Sequence, residues 1–316
     1  MALAYGFTEY GGPETQQFLD LPVATPGPGQ VQVAVVAAGV NPADWKVRSG
    51  LRRDSVPVAL PAVLGREVAG VVTAVGEDET RFSVGDEVLG STAAGFGGYA
   101  QSTVVNSAST AHKPATVAFT DAATIPVALG TAYDALDRLA LPAGSTLLVI
   151  GAGGGVGSAA LSLARLRGLN AIGIASPAKE RFVTSTGARW VESGAGAGSR
   201  VGTAVDAVFD LVGGDVLADV ADAASGARVV SVADPAQAAA LGGGGVTRRR
   251  TSQVFGEIAQ LVASGDLDAH VTRVFPFAEA GAALASVESG HAAGKVVLDV
   301  RADERLPTES SGRPRT

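Results

Sequence analysis

Apolar and polar residues change their spacing along this chain, and the changes mark its elements. Gln30 to Ala38 (Q-V-Q-V-A-V-V-A-A) alternates and then turns wholly apolar, the pattern of a strand. Val68 to Val75 (V-A-G-V-V-T-A-V) predicts another, closed by Gly76, and Val84 to Leu89 reads as a turn followed by a strand. Up to about Ala118 the chain is a series of short β-segments broken by Gly and Pro, which suggests a compact all-β unit or small barrel. From Asp121 the pattern becomes helical, with Asp121 near a cap and Pro126 interrupting the run.

Strand and helix patterns then alternate. The run Thr146 to Ile150 (T-L-L-V-I) leads into Gly151-Ala152-Gly153-Gly154-Gly155-Val156-Gly157, followed by S-A-A-L-S-L-A-R-L with Leu161, Ala164 and Leu166 at helical spacing. Strands are expected at Asn170–Ala175, Ala204–Leu211 and Ala227–Ala233, and helices at Pro177–Ser185 and Gly214–Ala224. Ser252–Ser264 reads as an amphipathic helix and Lys295–Val300 as a strand. The Gly/Ala/Ser-rich stretches Ala195–Gly202 and Leu241–Gly245 are expected to be loops. Such alternation predicts an α/β fold with a parallel sheet covered by helices on both faces.

Strand, glycine turn and helix in that order are the context a dinucleotide-binding loop requires. Glycines let the backbone approach a pyrophosphate, and the helix N-terminus offers free N–H groups and partial positive charge. The fitting register is Ala152-x-Gly154-x-x-Gly157, with alanine at the first glycine place.

Composition narrows the chemistry. The 316 residues contain no cysteine and three histidines, His112, His270 and His291, far apart in sequence. Disulfides, thiolate nucleophiles and cysteine-held zinc are thereby excluded, and a metal centre is not expected. The net charge of −7 argues against a nucleic-acid partner, and Arg248-Arg249-Arg250 reads as a solvated loop or strand edge. No apolar run approaches the ~20 residues of a membrane span, and the first residues carry no signal-peptide pattern, so a cytoplasmic protein is expected.

Several stretches in order resemble the zinc-independent, quinone oxidoreductase-like branch of the medium-chain dehydrogenases/reductases. They are A-A-G-V-N-P-A-D-W-K-V-R-S-G (37–50), L-G-R-E-V-A-G-V-V-T-A-V-G (64–76), F-S-V-G-D-E-V (82–88), G-G-Y-A (97–100) and I-P-V-A-L-G-T-A-Y-D-A-L (125–136). The glycine loop, V-F-D-L-V-G-G (208–214) and G-K-V-V-L-D-V (294–300) complete the series. The resemblance implies a Rossmann doubly wound parallel sheet plus a GroES-like β-barrel domain. The barrel domain is expected over residues 1–118 with a return at 270–301, the Rossmann domain over 119–269, and a disordered tail at 302–316. It also implies an active site between the domains and a homodimer. Where zinc-dependent relatives carry a cysteine and a histidine, this chain has Asn41 or its neighbours and Arg66, which implies a metal-free site.

The residue about 20 positions beyond the glycine loop distinguishes a ribose hydroxyl from a 2′-phosphate. Here the second strand ends Ala175-Ser176-Pro177-Ala178-Lys179, with no acid to repel a phosphate. Ser176 and Lys179 therefore favour NADPH. With the resemblance, the expected cofactor set is Asn41, Thr131, Ala152, Gly153, Gly154, Gly155, Val156, Ser176, Lys179, Val212 and Ala233. The expected reaction is hydride transfer from NADPH to a quinone or the activated C=C of an α,β-unsaturated carbonyl compound. Asn41, Lys46 and Tyr133 are the catalytic candidates, with Tyr99, Arg66 or water as alternative proton sources. Asp44 and Glu67 are expected to be structural; for Lys295, ending its strand is favoured over approaching the cofactor. A dedicated enoyl reductase of a biosynthetic pathway and a weakly catalytic NADPH-binding redox-responsive protein remain alternatives.

Overall fold

A computed structural model of the chain describes residues 1–301; the tail expected at 302–316 lies outside the described residues. The chain starts with β1 (Ala2–Phe7), β2 (Gln16–Leu21), β3 (Gln30–Val40), α1 (Pro42–Arg48), β4 (Ala62–Val63), β5 (Glu67–Val75), β6 (Glu87–Thr92) and β7 (Ser102–His112). Next come α2 (Phe119–Ala122), a π-helical turn at Ile125–Leu129, α3 (Gly130–Leu139), β8 (Thr146–Ile150), α4 (Gly155–Leu166), β9 (Asn170–Ala175), α5 (Glu180–Ser185) and β10 (Arg189–Glu192). Then follow α6 (Ala197–Val201), β11 (Ala207–Asp210), α7 (Gly214–Asp219), β12 (Arg228–Ser231), α8 (Pro235–Ala240), β13 (Gly244–Gly245) and α9 (Ser252–Ala263). Strand β14 (Val271–Pro276), helix α10 (Ala280–Glu288) and strand β15 (Lys295–Asp299) end the fold.

The barrel is built on β3. This strand pairs antiparallel with β5 along its length, and β5, β6 and β7 follow in order until β7 pairs back with β3. Register shifts at Gln32/Val33 and Val35/Ala37 supply bulges, which bend a strand and let the sheet close. β7 covers the first half of the free edge of β3 and β15 the second, Ala37 to Val40. Burial along β3 alternates and then becomes continuous from Ala37, matching the sequence pattern. Val31, Val33, Val35, Val68, Val72, Val88 and Val105 fill the interior with Phe7 and Tyr99. β-branched residues suit such a pleated, buried surface.

The second sheet runs β10-β9-β8-β11-β12-β13, all pairs parallel. Alternate residues of β8 face opposite sides: Leu147 and Val149 pack with Leu161, Phe255 and Ile258, while Leu148 and Ile150 pack with Val201, Leu217 and Ala238. A strand buried on both faces must be apolar throughout, which is why T-L-L-V-I shows no alternation. No helix among the described residues is long and apolar enough to cross a membrane.

Two loop expectations are corrected. Ala195–Gly202 contains α6, because the Asp219 carboxylate accepts hydrogen bonds from Gly196 and Gly198 N–H and because Ala197 and Val201 are buried. Leu241–Gly245 contains β13, whose two glycines add to the edge of β12. A strand made of glycine carries no hydropathy signal.

Gly65, between β4 and β5, has φ +87°, and a Cβ there would lie 2.3 Å from Tyr99 Cδ1. Gly65→Ala should lower unfolding free energy by about 2–5 kcal/mol, combining left-handed strain of ~1–2 with overpacking of ~1–3. Urea denaturation of the two proteins measures this; equal midpoints would show that the turn tolerates a side chain.

Candidate active site

The cleft has a volume of about 500 Å³ and lies between the barrel end of β3 with α1 and the strand ends of the parallel sheet. Its floor is the glycine loop. Gly151 makes the turn at φ +83°. Gly154 then precedes α4 with no side chain to cap the helix, so its first N–H groups have no capping partner. A Cβ on Gly157 would come 2.4 Å from Gly151 O, so only glycine lets the helix sit this close to the turn. A Cβ on Gly154 would meet nothing nearer than 3.7 Å, so a side chain there would occupy the cleft. The open amides and the glycine-only approach fit a dinucleotide pyrophosphate.

Behind this floor lies a buried ionic network. Glu67 Oε1 accepts from Lys295 Nζ at 2.8 Å and from Asn41 Nδ2 at 2.9 Å. Its Oε2 accepts from Val127 N–H at 2.7 Å. Lys295 also donates to Asn41 Oδ1 at 2.9 Å and to Val40 O at 3.2 Å. Glu67 is wholly buried and Lys295 nearly so. Val127 N–H is available because it lies in the first turn of the π-helical element Ile125–Leu129, where N–H groups have no intrahelical acceptor; there Leu129 N–H reaches back to Thr124 O. Gly39 is required beside this network, since a Cβ there would lie 2.2 Å from Glu67 Oε1. The Lys295 stem lies against Gly155, and Gly294 N–H donates to Gly153 O at 3.0 Å, so the C-terminal return holds the glycine loop.

Asn41 precedes α1, and its backbone N–H donates to Asp44 Oδ2 at 2.9 Å. Tyr99 O–H donates to the same oxygen at 2.8 Å, while Asp44 Oδ1 has no partner. Burial pushes the Asp44 carboxyl up to about 6 against the opposing pull of those two donors, and burial also raises the Tyr99 phenol. Asp44 therefore does not pair with Lys46. The Lys46 ammonium lies 5.6 Å from the Trp45 ring centroid and lines the cleft, and burial lowers its proton affinity.

Asn41, Lys46, Thr131, Gly154, Gly155, Val156, Lys179, Val212 and Ala233 all line the cleft. Four expected residues do not. Tyr133 lies two positions beyond Thr131 on α3, about 200° around the helix, and its hydroxyl donates to Glu257 at 3.0 Å, with Arg167 and Arg249 against its ring. Ala152 is turned inward against Gly173, Gly153 is covered by the Lys179 stem, and Ser176 starts the short 3-10 turn that presents Lys179.

The arginine run is also corrected. Arg248 donates to Thr131 Oγ1 at 2.6 Å, to Pro126 O at 2.9 Å and to Asp134 at 3.0 Å, and both Arg248 and Arg250 line the cleft. Lys295, for which ending its strand was favoured over approaching the cofactor, is central to the site. The sole hint was a lysine at the start of an otherwise apolar strand. Asp210, not singled out in the sequence, accepts from Val212 and Gly213 N–H and from Ser231 Oγ, fixing two strand ends on the cleft. Among the described residues no three His, Asp and Glu side chains gather as a metal site would.

Two outcomes are expected from these networks. A carboxyl raised in the fold stabilises it below the ordinary carboxylate range and loses that contribution as pH rises through about 6. Unfolding free energy should thus contain an Asp44 component that falls between pH 4 and 6.5 by on the order of 2–3 kcal/mol. Asp44→Asn should flatten that segment of a denaturation series; an unchanged slope would assign it to other groups. Glu67→Ala leaves the Lys295 ammonium unpaired and should cost about 3–5 kcal/mol, read by urea unfolding.

Comparison with known proteins agrees with this architecture. The alcohol dehydrogenase GroES-like domain model matches residues 27–115, and the zinc-binding dehydrogenase model matches residues 178–298. A quinone oxidoreductase of Pseudomonas aeruginosa is 39% identical over 190 residues, 60% of this chain and 57% of that protein. A chloroplast envelope quinone oxidoreductase homolog of Arabidopsis thaliana is 33% identical, the match covering 67% of this chain and 68% of that protein. The chain spans 44% to 57% of the length of the first curated relatives it matches. The quinone oxidoreductase structure from Coxiella burnetii superposes with a TM-score of 0.88 at 28% identity, covering 95% of this chain and 99% of that one. Solved enoyl reductase and alcohol dehydrogenase structures share the fold. The chain belongs to the medium-chain dehydrogenase/reductase family of oxidoreductases, with the quinone oxidoreductase-like branch.

Proposed function

We propose that the chain is an NADPH-dependent reductase of quinones or of the activated C=C of α,β-unsaturated carbonyl compounds. The observation that carries this reading is the meeting of the open glycine-loop helix with Asn41, Lys46 and Thr131 in one cleft, where Asn41 and Arg66 replace metal-ligand types. An acceptor that already withdraws electrons suits such a site, because it needs no Lewis acid to polarise it.

The α4 N-terminus from Gly154 to Gly157 would hold the pyrophosphate. Lys179, presented just past the end of β9 where the chain carries no acid, would pair with a 2′-phosphate. Val212 and Ala233 would border the crevice. A bound nicotinamide would supply the hydride for the β-carbon; the C=C electron pair would move to the carbonyl oxygen, and a proton from water would add at the α-carbon. The protein's own task is to orient the acceptor, exclude water and stabilise the developing oxyanion. Lys46, which lines the cleft, is the charged donor for that oxyanion. Asn41 and Thr131 are positioning residues: the amide of Asn41 is held at both ends by Glu67 and Lys295, and the hydroxyl of Thr131 by Val127 O and Arg248.

A charge-assisted hydrogen bond contributes about 1.5–3 kcal/mol. Lys179→Ala should therefore weaken NADPH binding about 10- to 100-fold and leave NADH within about two-fold, followed by quenching of the fluorescence of Trp45 and Trp190. Equal loss for both nucleotides would remove the assignment of Lys179. A panel of quinones and enones with NADPH oxidation followed optically tests the reaction itself; binding without turnover of any acceptor would overturn it.

A further inference from the structure

The lining of the cleft is basic. Seven Lys and Arg residues line it and no Asp or Glu does, in a chain whose net charge is −7. Two of the seven are neutralised within the fold, Lys295 by Glu67 and Arg248 by Asp134. Lys179 stands beside the glycine loop, where the cofactor's phosphates are accounted for. Lys46 faces the oxyanion of the proposed reaction; Arg52, Arg66 and Arg250 remain, and among the described residues none of these four has a carboxylate within 4.0 Å.

The four come from both walls. Lys46 lies on α1, Arg52 in the turn after it and Arg66 just before β5, while Arg250 precedes α9 on the Rossmann side. Two are held in place by aromatic rings: the Arg66 guanidinium lies 5.2 Å from the Phe96 centroid and Lys46 5.6 Å from that of Trp45. Arg66 is further tied by Nε to Gly95 O at 3.3 Å. They repel one another. Burial first, and then the neighbouring Arg250 and Arg52, lower the proton affinity of Arg66 against the more distant pull of Asp44 and Glu67; burial and Arg52 lower that of Lys46. Partly buried like charges with no carboxylate in contact are costly, and an anionic ligand relieves them.

We propose that the acceptor carries an anionic group, a carboxylate or phosphate, bound by Arg52, Arg66 and Arg250 alongside the reducible double bond that Lys46 serves. The proposal rests on the reductase reading above and adds to it the charge of the substrate. The shared chemistry is an oxyanion. A carboxylate comes on the acceptor skeleton itself; a phosphate comes on a carrier such as coenzyme A.

Matched acceptor pairs test it with the full chain and NADPH. The carboxylate arm compares 4-oxopent-2-enoate with its methyl ester; the phosphate arm compares crotonyl-coenzyme A with the crotonyl thioester of N-acetylcysteamine. At least one arm should show kcat/KM at least ten-fold higher for the anion, and the arm that does identifies the source. The preference should shrink with added salt and in Arg66→Gln and Arg52→Gln, each of which should lose more with the anion than with its neutral partner. Where the carboxylate arm responds, calorimetric titration with 4-oxopentanoate and its methyl ester gives a readout independent of turnover, and only the acid should bind measurably; where the phosphate arm responds, coenzyme A and N-acetylcysteamine take their place, and only coenzyme A should bind. Equal kcat/KM within both pairs, with turnover present, would overturn the anionic assignment and leave the reductase reading standing. Tight NADPH binding with no oxidation by any of the four acceptors or by the quinone and enone panel would overturn both.

Discussion

A single buried carboxylate holds the two walls of the cleft together. Glu67 accepts from Asn41 at the end of β3, from Lys295 at the start of β15 and from Val127 in the Rossmann-side turn. A charge removed from water must keep its partners or cost several kcal/mol. The three segments therefore cannot separate without exposing or orphaning it. The positions of α1, the glycine loop and α3 around the cleft follow from that constraint. Asn41 is oriented by it, and Lys295 passes from it to the backbone of the glycine loop.

The elements legible in the sequence were those where one physical demand dominates. T-L-L-V-I before the glycines reads as a strand because both faces are buried, and the glycines after it are needed for approach distances that the structure shows directly. The change of pattern in β3 at Ala37 marks where β15 and the second domain cover it. Illegible features depended on partners far away in the chain. Nothing near Ala197 announces that Asp219 will cap its neighbours, and nothing near Arg248 announces Asp134 and Thr131. Lys295 is 228 positions from Glu67, so local pattern could not pair them. Tyr133 was misplaced for a simpler reason: a helix presents only one of two residues spaced two apart.

The chain's charge is divided in space. The protein as a whole is acidic, yet the cleft wall is basic and contains no acid. Such an arrangement focuses field lines into a low-dielectric opening and raises the local concentration of anions there. A nicotinamide dinucleotide is itself such an anion, so the same distribution favours its entry.

The eleven-residue strand β3 has a consequence for how the molecule is made. Its Ala37–Val40 edge is satisfied only by β15, which emerges from the ribosome more than 250 residues later. Until then the nascent amino-terminal unit has an exposed, wholly apolar ribbon edge, a known template for unwanted pairing. The inserted α/β unit, whose strands all come from one continuous stretch, has no such wait and can condense during synthesis. Completion of the amino-terminal half is thus a late, long-range event in the life of the polypeptide.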